Sequence, residues 1–118
     1  AAAYARALAS LEWVTPPRAG PDESVDWFVY VVRLHPDVDR GRLMADLAER
    51  GVPSRPYFNP LHLQPLYREQ LGHGPGDFPV TERIAATTLA LPWSSQLSDA
   101  EVEYVVEMLD EALRKQVA

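Results

Sequence analysis

The sequence predicts a two-layer α/β domain, in which a small sheet packs against helices. Three observations support this fold class. A chain of 118 residues with 47% hydrophobic content is long enough to bury one compact core. Short apolar segments, separated by proline and glycine, alternate along the chain between strand-like and helix-like patterns. The last of these segments has a clear helical period. Periodicity alone leaves the relative direction of the strands open.

The first two elements are a helix and a strand. The alanine-rich segment Ala1–Leu11 predicts a helix because its tyrosine and leucines recur at helical spacing. No capping residue precedes it, so we expect residues 1–12 to be the end of a helix that continues from a longer chain. After a segment rich in proline and glycine, Val25–Leu34 combines β-branched and aromatic residues without alternation, which predicts a strand covered on both faces.

A helix, an edge strand and a loop follow. The helix is predicted over Arg40–Arg50, where Asp39 is a good N-cap and Gly51 occupies the C′ position. Its apolar stripe consists of Leu43, Met44, Leu47 and Ala48. The segment Val52–Phe58 is short and contains two prolines, which favours an edge strand over a central one. The polar and aromatic segment Asn59–Tyr67 predicts a loop, and a glycine-rich turn comes after it.

Three elements complete the domain. A short helix is predicted near Val80–Ala86, and Thr87–Leu91 predicts a strand that ends at Pro92. Ser98 and Glu101 form a capping box at the start of the last helix. The apolar residues of that helix recur at helical spacing and are Val102, Val105, Val106, Leu109, Ala112 and Leu113.

The composition argues against several classes of function. Seventeen acidic and eleven basic residues give a formal net charge of −6, which argues against nucleic acid as a partner because such binding depends on clustered lysine and arginine. The absence of cysteine removes disulfides, Cys-ligated zinc and thiol nucleophiles, and favours a reducing compartment, the cytoplasm. No apolar run reaches the roughly 18 residues that span a bilayer, so we expect no membrane partner. Any Schiff-base chemistry within the chain would have to use its single lysine, Lys115.

The segment around His62 is the most informative one for function. The residues near it in sequence are Tyr57, Phe58, Asn59, Gln64 and Tyr67, which offer aromatic faces with donors and acceptors and so suit a polar, ring-shaped ligand. The alternative is that the aromatic residues form the rim of the core and His62 only makes hydrogen bonds within the loop, and the residues by themselves favour it. The three histidines lack metal-pair spacing, and no self-contained catalytic set is evident, so neither a metal site nor a catalytic residue is predicted.

Four segments, in this order, resemble the C-terminal domain of DegT/DnrJ/StrS aminotransferases: WFVYVVRL, DRGRLMADLAERGVPSRPYF, PLHLQPLY and FPVTERIAATTLALPWSSQLSDAEVEYVVEML. The more specific cues are the helix exit L-x-x-x-L-x-x-x-G-V, the loop P-L-H-x-Q-x-x-Y and the run that ends in Leu91-Pro92. The resemblance extends over essentially the whole chain. It implies that residues 1–118 are the small domain of a fold-type I aminotransferase, with a mainly antiparallel sheet and helices packed on one face.

Members of this family are pyridoxal-phosphate enzymes that mostly aminate nucleotide-linked keto-sugars for cell-surface, deoxysugar and antibiotic biosynthesis. The resemblance implies that the intact protein is a homodimer that transfers an amino group from glutamate or glutamine to a keto-sugar or cyclitol. It also implies that a large domain of the same chain holds pyridoxal phosphate on its Schiff-base lysine, so this chain alone is expected to be inactive and free of cofactor. Carried over by position, it places His62 and Tyr67 near the substrate, with Tyr57, Phe58 and Gln64 as neighbours.

Two alternatives stay open. The chain could be a free-standing α/β ligand-binding or regulatory module whose loop binds a small polar metabolite without pyridoxal phosphate. It could also belong to a family member that performs dehydration instead of transamination, because the deciding lysine or its replacement lies outside the sequence. As a fragment without its large domain, the chain is expected to self-associate, since a strand that needs cover on both faces would be left partly exposed.

Overall fold

The computed structural model describes residues 1–117, which form five α-helices and a three-stranded antiparallel sheet. The helices are α1 (Ala2–Ala7), α2 (Arg40–Glu49), α3 (Pro65–Leu71), α4 (Pro79–Thr87) and α5 (Asp99–Val117). The strands are β1 (Val14–Thr15), β2 (Tyr30–Leu34) and β3 (Thr88–Leu91). Two 3₁₀ turns, Leu8–Ser10 and Leu61–Leu63, follow α1 and precede α3. The predicted α/β class with an antiparallel sheet is confirmed.

Strand β2 is the centre of the sheet, with β1 and β3 antiparallel to it on either side. Tyr30 pairs with Leu91, and Arg33 pairs with Thr88. The side chains of β2 that are buried in the core are those of Tyr30, Val32 and Leu34. Arg33 is exposed on the opposite face, as expected where successive side chains alternate. The prediction that this strand is covered on both faces is therefore wrong for residues 1–117.

Strand β2 begins at Tyr30, so the prediction that it begins at Val25 is also wrong. Leu91, which pairs with Tyr30, is the last residue of β3, so the residues before Tyr30 have no partner strand on this side. The carbonyl oxygen of Trp27 instead accepts a hydrogen bond from the indole nitrogen of Trp93, at 3.0 Å. Trp27 thus serves ring packing and not strand pairing.

The core lies between the sheet and helices α1, α2 and α5. Its fully buried large side chains include Leu8, Leu43, Leu47, Leu89, Leu109 and Leu113. Because these residues come from both layers, one continuous apolar core holds the helices against the sheet. No helix among residues 1–117 has the length and apolar character needed to cross a membrane.

Four aromatic rings close one end of this core. Tyr4 stacks on Tyr30 with 4.7 Å between ring centroids, and Trp27 and Trp93 lie 5.4 Å and 5.7 Å from the Tyr30 ring. The hydroxyl of Tyr4 donates a hydrogen bond to the carbonyl oxygen of Pro92 at 2.7 Å, and burial raises the pKa of Tyr4 to about 12. Within residues 1–117, the buried hydroxyl of Tyr30 has no hydrogen-bond partner.

The helix ends follow the sequence signals closely. The Asp39 side chain accepts a hydrogen bond from the N–H of Arg42 at 3.0 Å, as an N-cap of α2. Gly51 follows α2 with φ of 74°, a left-handed conformation that glycine adopts without strain. At the start of α5, the N–H of Ser98 donates to the Glu101 carboxylate at 2.8 Å, and the Ser98 hydroxyl accepts from the N–H of Glu101 at 3.2 Å. The predicted capping box is therefore confirmed.

The edge strand predicted over Val52–Phe58 is only a single bridge. Arg55 donates to the carbonyl oxygen of Ala90 at 3.2 Å and accepts from its N–H at 2.8 Å. Pro53, two residues before Arg55, has no N–H group for the next rung, so pairing cannot extend toward it. The prediction of a strand here is wrong, although the segment does lie at an edge of the sheet, beside β3.

The loop predicted over Asn59–Tyr67 contains regular structure. Leu61–Leu63 forms a 3₁₀ turn and Pro65–Leu71 forms α3, so the prediction of a plain loop is wrong. Proline favours the first position of a helix, and Gly72 ends α3 with φ of 68°. In the sequence, Pro65 and Gly72 are therefore the signals for this short helix.

Candidate functional site

The five predicted site residues lie within residues 57–67, a segment that contains the 3₁₀ turn and the start of α3. In this segment, His62 is buried with 7% of its surface exposed. Its Nε2 atom lies 2.9 Å from Oε1 of Glu82 in α4. An ionised carboxylate only accepts hydrogen bonds, so Nε2 carries a proton and donates to it.

The carboxylate of Glu82 also binds the glycine-rich turn, which contains Gly72, Gly74 and Gly76. It accepts the N–H of Gly76 at 2.8 Å and 3.1 Å and the N–H of Phe78 at 3.4 Å. The hydrogen bond from His62, followed by that from Gly76, lowers the pKa of Glu82. One carboxylate therefore joins the 3₁₀ turn, the glycine-rich turn and the first turn of α4.

Two further side chains order the glycine-rich turn. Asp77 accepts hydrogen bonds from the N–H of Gly74 at 3.0 Å and from the His73 ring at 3.2 Å, and these bonds lower its pKa. The ring centroid of Phe78 lies 4.8 Å from that of His62 and 5.4 Å from that of His73. These contacts hold the turn against the buried imidazole of His62.

An open groove of about 570 Å³ lies beside the 3₁₀ turn. Its lining residues are Pro56, Phe58, Asn59, Leu61 and Gln64. The turn separates two environments, because Leu61 is 69% exposed and lines the groove whereas the next residue, His62, is buried. The groove combines apolar walls with two side-chain amides, the usual composition of a small-molecule site.

Phe58 has an unusual backbone conformation in this groove. Among residues 1–117 it is the only non-glycine residue with a positive φ, at 55°. A left-handed conformation costs an ordinary L-residue roughly 1–2 kcal/mol, and bulky residues adopt it rarely. The Phe58 ring is nevertheless 73% exposed, and its one close aromatic contact is with Tyr57 at 4.6 Å between centroids. The strained backbone at Phe58 therefore leaves an apolar side chain exposed to solvent.

The structure brings only some of the predicted site residues together. Phe58 and Gln64 line the same groove. Tyr57 is half-buried and packs on Phe58. Tyr67 lies on α3 and is 39% exposed, and His62 points away from solvent toward α4. Whether these residues contact a substrate stays a prediction.

The sequence analysis assigned no role to Glu82. A carboxylate in the first turn of a helix is a known acceptor for nearby backbone N–H groups, and Glu82 follows Pro79 and three glycines. This signal could have identified the carboxylate as the anchor of the glycine-rich turn. Its pairing with His62 has no sequence signature, because 20 residues separate the two.

The side chains present do not fit pyridoxal phosphate. The cofactor needs a lysine amine for its covalent link and donors for its phosphate, and the groove residues provide neither a lysine nor an arginine. Lys115 is exposed in the last turn of α5. No group of three or more His, Asp or Glu residues within the described part of the chain is placed to hold a metal ion.

The sequence, compared as a whole with known families, matches the model of the DegT/DnrJ/EryC1/StrS aminotransferase family over residues 1–110. The chain belongs to this family. The match covers every helix and strand except the end of α5. It confirms the resemblance that the sequence motifs indicate.

Comparisons with individual proteins agree with this match to the DegT/DnrJ/EryC1/StrS family. The chain is 32% identical over 107 residues to the erythromycin biosynthesis sensory transduction protein EryC1 of Saccharopolyspora erythraea, which covers 90% of this chain and 28% of that protein. It is 30% identical over 113 residues to GDP-perosamine synthase of Caulobacter vibrioides, covering 93% of this chain and 30% of that enzyme. The crystal structure of the aminotransferase TlmJ from Streptoalloteichus hindustanus superimposes with a TM-score of 0.82 at 29% identity, covering 98% and 30% of the two chains. The chain thus spans less than a third of the length of these relatives.

Proposed function

We propose that this chain is the C-terminal small domain of a pyridoxal-phosphate-dependent sugar aminotransferase. The observation that carries the proposal is the match to an aminotransferase family over residues 1–110 in a chain that spans less than a third of its relatives. The groove has no lysine, which supports a division of labour in which another part of the protein holds the cofactor. Pyridoxal phosphate supplies the electron sink for amino transfer when it is bound.

In this proposal the small domain binds and orients the amino acceptor, a nucleotide-linked keto-sugar or a cyclitol, and the amino donor is glutamate or glutamine. The name of the relative GDP-perosamine synthase, an enzyme of a GDP-linked sugar, supports a nucleotide-linked acceptor. Phe58 and Gln64 contact the acceptor from the groove, and Tyr67 contacts it from α3. The Tyr57 ring packs against the Phe58 ring and supports it.

His62 combines two roles in the proposal. Its buried hydrogen bond to Glu82 fixes the 3₁₀ turn from which the groove residues Leu61 and Gln64 extend. Its position on this turn also keeps the ring near the bound acceptor. Loss of the imidazole would therefore loosen the groove.

We also place the enzyme in the cytoplasm as a homodimer. The exposed apolar side chains support an association surface, because eight large ones fall within residues 58–84: Phe58, Leu61, Leu66, Tyr67, Leu71, Phe78, Val80 and Ile84. The absence of cysteine suits a reducing compartment.

The test uses the full open reading frame that encodes this chain. Its product is purified with pyridoxal phosphate, reduced with borohydride and digested, and the labelled lysine is located by mass spectrometry. We expect the label outside these 118 residues, and we expect transfer of an amino group from glutamate or glutamine to a nucleotide-linked keto-sugar. The variant Lys115→Arg is the matched control and retains both the label and the activity.

Three results would overturn the proposal. Labelling of Lys115 would place the cofactor in this chain. A reading frame that consists of this chain alone and does not bind pyridoxal phosphate would favour the free-standing ligand-binding module. A longer product that binds the cofactor and eliminates water from a sugar without transferring an amino group would favour a dehydratase.

A further inference from the structure

A second open pocket, of about 280 Å³, lies where the β1 edge of the sheet meets the last turn of α4. Two arginines line it, Arg33 from β2 and Arg83 from α4. The groove of the candidate site lies beyond the other edge of the sheet, where Pro56 follows the bridge between Arg55 and β3. The pocket and the groove have no lining residue in common, so they are separate sites.

Both arginines are available to a ligand. Their side chains are exposed, and within residues 1–117 neither Arg33 nor Arg83 forms an ion pair or a side-chain hydrogen bond. Two positive charges that line one pocket repel each other when no anion lies between them. An anion in the pocket would relieve this repulsion and accept hydrogen bonds from both guanidinium groups.

The two arginines are also not needed to cap α4. The carbonyl groups at a helix C-terminus attract cations, because they carry a partial negative charge. Here the guanidinium of Arg40 donates to the carbonyl oxygens of Ala85 at 2.6 Å and of Thr88 at 2.9 Å. The hydroxyl of Thr87 donates to the carbonyl oxygen of Arg83 at 3.1 Å. Since these donors serve the end of the helix, the guanidinium groups that line the pocket are free for another acceptor.

The other lining residues restrict the chemistry of the anion. Trp13 and Ile84 line the pocket and offer apolar surface, and the His35 ring packs edge-on against the Trp13 ring at 4.9 Å between centroids. One acidic residue, Glu12, also lines the pocket, so the two arginines leave an excess of one positive charge. This excess matches the single charge of a carboxylate better than the double charge of a phosphate. The small volume admits only a small molecule or one side chain.

We propose that this pocket binds a carboxylate group on a small apolar body, with Arg33 and Arg83 holding the carboxylate and Trp13 and Ile84 contacting the apolar part. Guanidinium groups bind carboxylates through pairs of parallel hydrogen bonds, which gives the geometry its specificity. The carboxylate belongs to a free organic acid or to an acidic side chain elsewhere in the full-length protein, and the test separates these two sources. The inference does not rest on the proposed function.

The test uses the product of the full open reading frame and isothermal titration calorimetry with phenylacetate. Phenylacetamide, which has the same shape without the charge, is the control ligand. If the source is a free acid, phenylacetate binds saturably and phenylacetamide does not. Arg33→Gln and Arg83→Gln should each weaken phenylacetate binding about tenfold or more, because each loses a hydrogen bond to a charged group. Arg42→Gln is the matched control, since Arg42 is exposed on α2 and does not line the pocket, and it should bind as wild type does.

Glu12 provides a test in the opposite direction. Glu12→Gln removes the one acidic side chain of the pocket, so it should tighten the binding of phenylacetate. Equal binding of phenylacetate and phenylacetamide, unchanged affinity in both arginine variants, or weaker binding by Glu12→Gln would each overturn the carboxylate site.

Thermal unfolding of the same product detects the internal source. If an acidic side chain of the protein fills the pocket, phenylacetate does not bind, and Arg33→Gln and Arg83→Gln lower the unfolding temperature more than Arg42→Gln does. This difference should shrink at high salt, because salt screens an ion pair. Absence of phenylacetate binding, together with equal unfolding temperatures or with a difference that salt does not change, would overturn the inference. Neither measurement depends on amino transfer, so its outcome is independent of the borohydride experiment.

Discussion

The imidazole of His62 donates a hydrogen bond of 2.9 Å to the carboxylate of Glu82, and this contact joins the 3₁₀ turn to the first turn of α4. The same carboxylate accepts the N–H of Gly76. Since His62 is buried, the contact is shielded from competing water. The groove residues on the turn therefore depend on a polar contact that lies outside the groove.

Replacement of His62 by alanine should destabilise the fold. It leaves a partly buried carboxylate without one of its partners and opens a cavity beside Phe78, so we expect a loss of about 1–3 kcal/mol. Urea unfolding followed by circular dichroism measures this loss. His35→Ala is the control, because the His35 side chain is 47% exposed, bonds Asp37 and packs edge-on against the Trp13 ring, and it should cost less than the loss of His62.

In the intact enzyme we expect His62→Ala to raise the KM for the keto-sugar and to leave the visible absorbance of bound pyridoxal phosphate unchanged. The reason is that the side chain belongs to the acceptor side of the proposed site, and the cofactor is held elsewhere. Steady-state kinetics and an absorbance spectrum of the same preparation test both parts. Loss of the absorbance in the variant would contradict the assignment.

The stability should fall in acid in a way that depends on Glu82. Its hydrogen bonds lower its pKa in the folded state below the ordinary value of 4.5, so the unfolded chain binds protons more readily. The stabilisation is fully present above that value and is lost as the pH falls through the folded pKa. In Glu82→Gln, the free energy of unfolding should depend less steeply on pH between neutrality and acid.

Denaturant unfolding at a series of pH values measures this slope. Some acid dependence should remain in Glu82→Gln, because the pKa values of Asp77 and Glu101 are also lowered in the folded state. Equal slopes for wild type and variant would show that the carboxylate of Glu82 is not specifically stabilised.

The two stacked tyrosines should respond differently to loss of the hydroxyl group. Tyr4→Phe removes the hydrogen bond to Pro92 and leaves a carbonyl oxygen unpaired, so we expect a loss of about 0.5–1.5 kcal/mol. Tyr30→Phe removes a buried hydroxyl that has no partner within residues 1–117, so its stability should be equal to or higher than that of wild type. Thermal unfolding of both variants measures the difference, and the reverse order would contradict the described packing.

The isolated chain should self-associate through the apolar side chains of α3. Leu66 and Leu71 are 54% and 63% exposed, and burying such residues between copies removes apolar surface from water. Sedimentation equilibrium of the wild type should give a mass above 13.2 kDa that rises with concentration. The double variant Leu66→Ser, Leu71→Ser should be monomeric at the same concentrations. A wild type that remains monomeric at high concentration would contradict the prediction.

The elements that the sequence predicted well are those whose signals are local. Asp39 caps α2, and Ser98 and Glu101 cap α5, because each of these contacts spans three residues. The helical period of α5 also depends only on its own residues. Such contacts form independently of the rest of the chain, so the local sequence pattern is sufficient to predict them.

Two of the predictions that failed depended on distant parts of the chain. The apolar run from Val25 has the composition of a strand, but β3, the strand that it would pair with, ends at Leu91. In the candidate site, the residue types around His62 indicated a polar ligand, and the sequence could not show that the imidazole is turned toward Glu82 and away from the groove. The left-handed backbone of Phe58 had no signal at all, since phenylalanine does not favour it.

Helices α1 and α5 pack on each other, so the first and last described elements complete one core. Tyr4 leaves the ribosome 88 residues before its partner Pro92. At about 5 to 20 residues per second, synthesis of the intervening segment takes roughly 4 to 18 s. Within that interval the Tyr30 ring, on which Tyr4 stacks, is already made, but α5 is not. The core therefore closes only after α5 has been synthesised, and the apolar side of α1 stays partly exposed until then.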